Sequence, residues 1–227
     1  MPDENADYNK GADGQPVTLE VQAEQEERRF SPSVGRNRDY VRDAFSKHMP
    51  RTGRILEIGS GTGEHGVHMT QLLPDLVWTF TDMDEGSLAS ATAWMAERGR
   101  TDRDRAVVLD ASTRDWPGIV GADQFDGLFS ANVIHIAPFA VATGLFAGAD
   151  KVLSQAGRIF LYGPFARDGV FSEGNSAFDA DLKRRDARWG VRDLEREIVP
   201  LAKANGFALA HCVDMPKNNL SVVFERC

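Results

Sequence analysis

Between Arg54 and His65 the chain reads Arg-Ile-Leu-Glu-Ile-Gly-Ser-Gly-Thr-Gly-Glu-His, and few folds accommodate such a run. Ile55, Leu56 and Ile58 form a short apolar stretch that stops abruptly at Gly59, as a buried parallel strand does. Gly59, Gly61 and Gly63 then leave no Cβ between backbone and ligand and allow the positive φ values of a tight strand-to-helix turn. From Glu64 the pattern turns helical, with Val67, Met69, Leu72 and Leu73 apolar until Pro74 stops it. Strand, glycine loop and helix make half of a nucleotide-binding βαβ unit.

The loop allows two registers. Gly61 to Gly66 satisfies G-x-G-x-x-G, with Asp82 about as far downstream as a dinucleotide fingerprint places its ribose-binding acid. That register starts two residues beyond the strand end and leaves Glu57 without a role. The register Glu57-x-Gly59-x-Gly61-x-Gly63 uses every glycine, and it resembles the first motif of class I S-adenosylmethionine-dependent methyltransferases. S-adenosylmethionine has no pyrophosphate to place on a helix N-terminus, but its sulfonium and zwitterionic end suit an acidic, amide-lined pocket.

The resemblance implies a fold and a set of contacts. The fold is α/β and Rossmann-like: a seven-stranded, mostly parallel sheet with an antiparallel last strand and helices on both faces. Glu57 orders the loop and helps hold the aminoacyl end, while Gly59, Ser60, Gly61, Thr62, Gly63 and His65 surround the ligand. Asp82, ending the strand Val77–Asp82, takes the ribose hydroxyls beside Met83. Asp84 and Glu85 read as the cap and first turn of the next helix. Asp110 and Ala111, ending the strand from Ala106, hold the adenine amino group, and Asn132 follows the fourth strand, Phe125–Ser130.

Composition narrows the partners. The 227 residues carry a net charge of −8, which argues against a broad nucleic-acid footprint, since that requires a basic face. Such a length suits one domain with its own core. The two cysteines supply neither a zinc site nor a disulfide framework, so no metal is expected and a reducing cytoplasm is the default. The N-terminus has no signal-peptide pattern, and no apolar run reaches the length of a membrane span. Residues 1–28, acidic and polar, are expected to be a mobile tail before a single domain over 29–227.

Within that domain a helix is expected from Val34 to Phe45, ending before Pro50, with Asn37 at its N-terminal part. His135, just past the fourth strand, is open to three roles: general base, substrate hydrogen-bond donor, or packed histidine. After the fifth strand, Arg158–Gly163, the chain is expected to turn out of the sheet at Gly163-Pro-Phe165 into a lid-like insertion over about 164–192. The run Lys183-Arg-Arg185 reads as a solvated helix face.

Ser31-Pro32 with Arg36-Asn37, Asn175-Ser176 with Phe178-Asp179, Trp189-Gly190 with Arg192-Asp193, and Met215-Pro216 with Asn218-Asn219 add a closer likeness. From about Phe30 to the end, the chain resembles the methyltransferase-like family called domain of unknown function 938. The family implies a fold and a cofactor, S-adenosyl-L-methionine, but no substrate. The expected acceptor is a small molecule, because no Asn/Asp-Pro-Pro-aromatic tetrapeptide of base-amine methylation follows the fourth strand. Asn37, Phe165, Asn175, Trp189, Asn218 and Asn219 are its expected contacts, with His135 first and Asp179 second as candidate bases. The competing readings are a non-catalytic S-adenosylmethionine-binding protein and an NAD(P)-dependent oxidoreductase.

Overall fold

A computed structural model describes residues 23–25, 27–121 and 125–227. Most of the expected mobile tail lies outside the described residues, but its last part is structured. Ala23–Gln25 (β1) pairs antiparallel with Arg28–Phe30 (β2). Arg29 anchors this hairpin, its amide donating to Ser90 Oγ at 2.8 Å and its guanidinium to Asp84 at 3.1 Å. Phe30 meets Trp94 edge-on at 5.1 Å. The folded part therefore begins by Ala23.

Helix α1 (Pro32–His48) follows, with Ser31 as its N-cap and Pro32 in its first turn, where a missing amide costs nothing. The chain then alternates β3 (Gly53–Ile58), α2 (Glu64–Leu72), β4 (Leu76–Asp82), α3 (Glu85–Glu97) and β5 (Arg105–Val108). A one-turn helix α4 (Trp116–Ile119) leads to β6 (Phe125–Ala131), α5 (Phe139–Val152) and β7 (Leu153–Ala166). After α6 (Glu173–Arg185) come β8 (Arg192–Asp193), a π-helical turn into α7 (Val199–Ala204), β9 (Phe207–Met215) and β10 (Asn219–Arg226).

The sheet runs β5-β4-β3-β6-β7-β10-β9, with β8 added beside the end of β7. Every pair from β5 to β7 is parallel, and β10 is antiparallel to both its neighbours. This is the expected seven-strand arrangement plus one two-residue strand. Strand order reverses between β3 and β6, so the crevice beyond their carboxyl ends is where an open α/β sheet takes a ligand. Because β9 runs parallel to β7, the turn at 216–218 lies on that same edge.

The sheet does not release the chain at Gly163-Pro-Phe165. Pro164 pairs with Asn219 and Phe165 with Arg192, and β7 continues to Ala166. An apolar Phe165 that is buried gains more in the sheet than in a turn. The insertion therefore starts after Ala166, and α6 is its main element. Its basic residues pair with acids on the same helix face, Lys183 with Asp179 and Arg185 with Asp181.

Period-two alternation divides the core between the two faces. Leu56, Ile58, Leu128 and Ile159 pack with α5 and α7, whereas Ile55, Trp78, Phe80, Phe129 and Phe160 pack with α1, α2 and α3.

Candidate functional site

All three loop glycines take positive φ: 70° at Gly59, 53° at Gly61 and 82° at Gly63. Their surroundings differ. A Cβ on Gly59 would strike Val133, and one on Gly63 would lie 2.8 Å from Ala91 Cα, but one on Gly61 would meet nothing within 4 Å. Gly59 and Gly63 are packing requirements of the turn, while Gly61 borders open space.

Polar bonds from neighbouring strands fix the loop. Ser60 N–H donates to the Thr81 carbonyl at 2.8 Å, and Thr81 N–H returns a bond to Ser60 Oγ at 3.0 Å. Asp82 accepts from Gly61 N–H at 2.9 Å and from Asp84 N–H at 3.0 Å. Burial raises its carboxyl above the usual range, and those amides oppose the rise. A carboxylate has about four acceptor sites, so capacity remains for a ligand's hydroxyls. Asp84 caps α3, accepting from Ser87 N–H at 2.7 Å as expected. Beside Asp82, whose carbonyl accepts from Leu109 N–H, Asp110 accepts from Ser112 N–H at 2.8 Å, and Ala111 is buried. Met83 is half-buried.

Glu57 is buried, and its Oε2 accepts from Trp78 Nε1 at 2.7 Å. Burial pushes its pKa up to about 8, with the Trp78 and Ser60 bonds offsetting part of the rise. Gly66 makes the fit possible, since any Cβ there would crowd Trp78 Nε1, Phe80 and Glu57 Oε2. Glu64 has a second anchoring role that sequence reasoning missed. Its Oε2 accepts from Ser31 N–H at 2.6 Å and from Thr62 Oγ1 at 3.0 Å, tying α1 to the loop. A glutamate opening a helix reads from sequence only as a dipole-matching surface charge.

Asn132 sits in the left-handed region at φ 63°, its amide donating to the Tyr162 carbonyl at 2.7 Å. His135 is almost wholly buried; its Nδ1 accepts from Arg192 N–H at 3.4 Å, and its Nε2 has no partner among the described residues. Burial first, and the Arg192 charge second, lower its pKa to about 3. A Cβ at Gly163 would lie 2.6 Å from His135 Nε2 and 3.2 Å from Asn132 Oδ1. These three residues therefore converge at the end of β7.

Several expected acceptor contacts instead hold the insertion in place. Asn175 is buried and donates to the Asn218 carbonyl at 3.0 Å and to the Phe165 carbonyl at 3.3 Å. Asp179 accepts from Lys183 Nζ at 2.7 Å and from Val191 N–H at 2.9 Å, which ties it to the insertion. Trp189 is buried with Leu182 and Val191 in a small satellite core. Asn219 donates to the Pro216 carbonyl at 3.1 Å. Phe165 meets His135 edge-on at 4.9 Å. Arg192, also missed, bonds the Ile134 and Ala137 carbonyls at 2.9 and 2.7 Å and so braces the His135 turn against the insertion. Its signal was its pairing with Trp189-Gly190.

Among the described residues, no cluster of His, Cys, Asp or Glu is arranged to hold a metal, and no helix is long and apolar enough to cross a membrane.

A family model described as "Protein of unknown function (DUF938)" matches residues 28–226. Among curated proteins, Ribosomal RNA small subunit methyltransferase G from Ralstonia nicotianae is 24% identical over 160 residues, 70% of this chain and 61% of that protein. An O-methyltransferase family 2 protein from Planctomyces limnophilus, solved in complex with apigenin, superimposes with a TM-score of 0.70 at 16% identity, covering 86% of this chain and 60% of that one. CalO1, a methyltransferase in calicheamicin biosynthesis solved in its SAH-bound form, gives 0.66 at 17% identity, covering 86% and 55%. The chain thus spans less than two thirds of these relatives, and at such identities the structural likeness is one of fold.

Proposed function

The chain belongs to the DUF938 family, and from that premise we propose that it transfers a methyl group from S-adenosyl-L-methionine to a small-molecule acceptor. The observation that carries this reading is the loop itself. Gly61 faces open space at a sheet switch point, beside Asp82, a strand-end acid held by two amides, with a second acid, Asp110, just past the end of β5 on the far side of Asp82. That arrangement suits a ligand with a ribose, an adenine and a cationic centre.

Asp82 would take the ribose hydroxyls, Asp110 and Ala111 the adenine edge, and the Gly59–Gly63 backbone with Asn132 the aminoacyl end. Glu57 acts beneath them by locking β3 to β4. When bound, the cofactor supplies a methyl group already activated by its sulfonium, so alignment and exclusion of water are the main demands on the protein. His135 suits that demand as an uncharged hydrogen-bond donor: a ring whose pKa lies near 3 is a poor base at neutral pH. The SAH-bound and apigenin-bound relatives support the cofactor and a small acceptor. The net charge of −8 supports the latter over nucleic acid. Two exposed free cysteines accord with a reducing cytoplasm.

Thermal unfolding in excess S-adenosylmethionine, S-adenosylhomocysteine, NAD or NADP tests the reading. Ligand at a hundredfold its dissociation constant adds about 2.7 kcal/mol, roughly 5 to 10 °C here. A shift with the first two alone is expected. A shift only with a nicotinamide dinucleotide would install Gly61 to Gly66 as the working fingerprint, and cofactor binding without turnover on any acceptor would favour a binding protein.

A further inference from the structure

The segment leading into α1 reaches the glycine loop by two routes, and both end at Thr62. The first runs through Ser90 of α3. Arg29 N–H donates to Ser90 Oγ at 2.8 Å, and that hydroxyl donates to the Thr62 carbonyl at 2.8 Å. A serine hydroxyl carries a single proton, here committed to Thr62, and Ser90 is fully buried. Trp94 Nε1 holds the other side of Arg29, donating to its carbonyl at 3.3 Å. The second route runs through Glu64, whose Oε2 accepts from Ser31 N–H at 2.6 Å and from Thr62 Oγ1 at 3.0 Å. Thr62 is therefore gripped by its carbonyl and by its side chain.

The orientation of Thr62 matters because of its amide. The neighbouring amides are spent within the protein: Ser60 N–H on the Thr81 carbonyl, Gly61 N–H on Asp82, and Gly63 N–H on the Ser60 carbonyl at 2.9 Å. That last bond closes a turn with Gly61 and Thr62 at its centre, where amides point outward unpaired. Thr62 N–H has no partner among the described residues, and it follows Gly61, whose Cβ position is open. It is the amide left to donate to a ligand. A peptide plane is rigid, so the direction of this N–H follows from what holds Thr62 itself.

Resting on the methyl-transfer reading above, we propose that the Arg29–Ser31 segment positions Thr62 to donate its amide to the carboxylate at the aminoacyl end of the cofactor, with Ser90 and Glu64 as the positioning residues that carry the effect. Released from this grip, Thr62 regains freedom that a ligand must remove again. The adenosine end does not draw on the grip, because the bonds of Asp82 and Asp110 run to Gly61, Asp84 and Ser112 and not to Ser90 or Glu64.

S-adenosylhomocysteine and methylthioadenosine are the probes; the second keeps the adenine, ribose and sulfur of the first and lacks its aminoacyl end. Both are titrated by calorimetry into the full chain and two variants. Ser90→Ala removes the hydroxyl between Arg29 and Thr62. Thr62→Val removes only the hydroxyl bonded to Glu64, and so tests the same grip with one bond lost instead of two. Each variant is expected to weaken S-adenosylhomocysteine about five- to tenfold and to leave methylthioadenosine within about twofold. A purely structural role lowers the unfolding temperature without moving this ratio. An unchanged ratio in either folded variant, or equal weakening of both probes, overturns the proposal. A wild-type chain that fails to bind S-adenosylhomocysteine loses the methyl-transfer reading and the role of the segment with it, whereas one that binds it with the ratio unchanged in the variants loses only the latter.

Discussion

The two halves of the sheet's carboxyl edge treat their polar groups in opposite ways. Over β3 and β4, the chain itself satisfies Glu57, Ser60, Asp82 and Glu64 through Trp78, Thr81, Gly61, Asp84 and Ser31. Elsewhere Asn37 of α1, His65 of α2 and Ser221 of β10 retain buried side-chain atoms with no partner among the described residues. A cradle already bonded in its final shape loses little freedom when a ligand arrives. Pre-formation is therefore concentrated around the glycine loop.

The largest effect expected from breaking this contrast is at Gly63. Gly63→Ala combines a left-handed penalty of about 1–2 kcal/mol with overpacking of about 1–3 against Ala91 Cα. Unfolding should fall by roughly 4 to 20 °C in calorimetry. Gly61→Ala, whose Cβ enters open space, carries the φ penalty alone, and S-adenosylhomocysteine affinity should suffer more than stability. Glu64→Ala removes acceptors of the Ser31 and Thr62 bonds and should cost about 2–3 kcal/mol in urea unfolding.

Next in size is the dependence on pH. Glu57 has a folded pKa raised to about 8, so its stabilising effect is complete below its unfolded value and fades as pH rises to 8. His65 and His135, lowered to about 3, act in the opposite direction: their contribution is present above their unfolded value and fades as pH falls below it. Below about pH 6.5 two histidines outweigh one glutamate, and above it only the glutamate acts. These three groups put maximum stability near pH 6.5, with about 2 kcal/mol lost by pH 8. Denaturant unfolding from pH 5 to 9 checks this, and Glu57→Gln should flatten the alkaline limb alone. The smallest effect is expected at Ser221. Ser221→Ala removes an unpartnered buried hydroxyl and should leave stability unchanged or raise it by up to about 1 kcal/mol, the reverse of every substitution in the glycine loop.

What the sequence revealed follows the same division. The strands, the Asp84 cap and the glycine turn were legible because local rules govern them: apolar runs, cap chemistry and positive φ at Gly59, Gly61 and Gly63. Asp82 was legible as a strand end, whereas β5 stops at Val108, two residues short of the expected end at Asp110. The roles of Asn175, Asp179 and Trp189 were not, because they depend on which backbone groups the insertion brings within reach, a matter of tertiary packing. The same holds for the continuation of β7 through Pro164, which requires Asn219 and Arg192 as partners from far along the chain. Ser221 offered no signal at all; its burial follows from its register with Tyr162.

The seat of α1 gives the architecture a further property. Ser31 at the head of that helix hangs on Glu64, and the hairpin before it is anchored by Arg29 to Asp84 and Ser90, all next to the glycine loop. Helix α1 is thus fastened to the rim of the glycine loop. Stiffening the rim changes the free energy of seating α1, and by thermodynamic reciprocity whatever seats α1 more firmly alters affinity for anything held at the rim by the same factor.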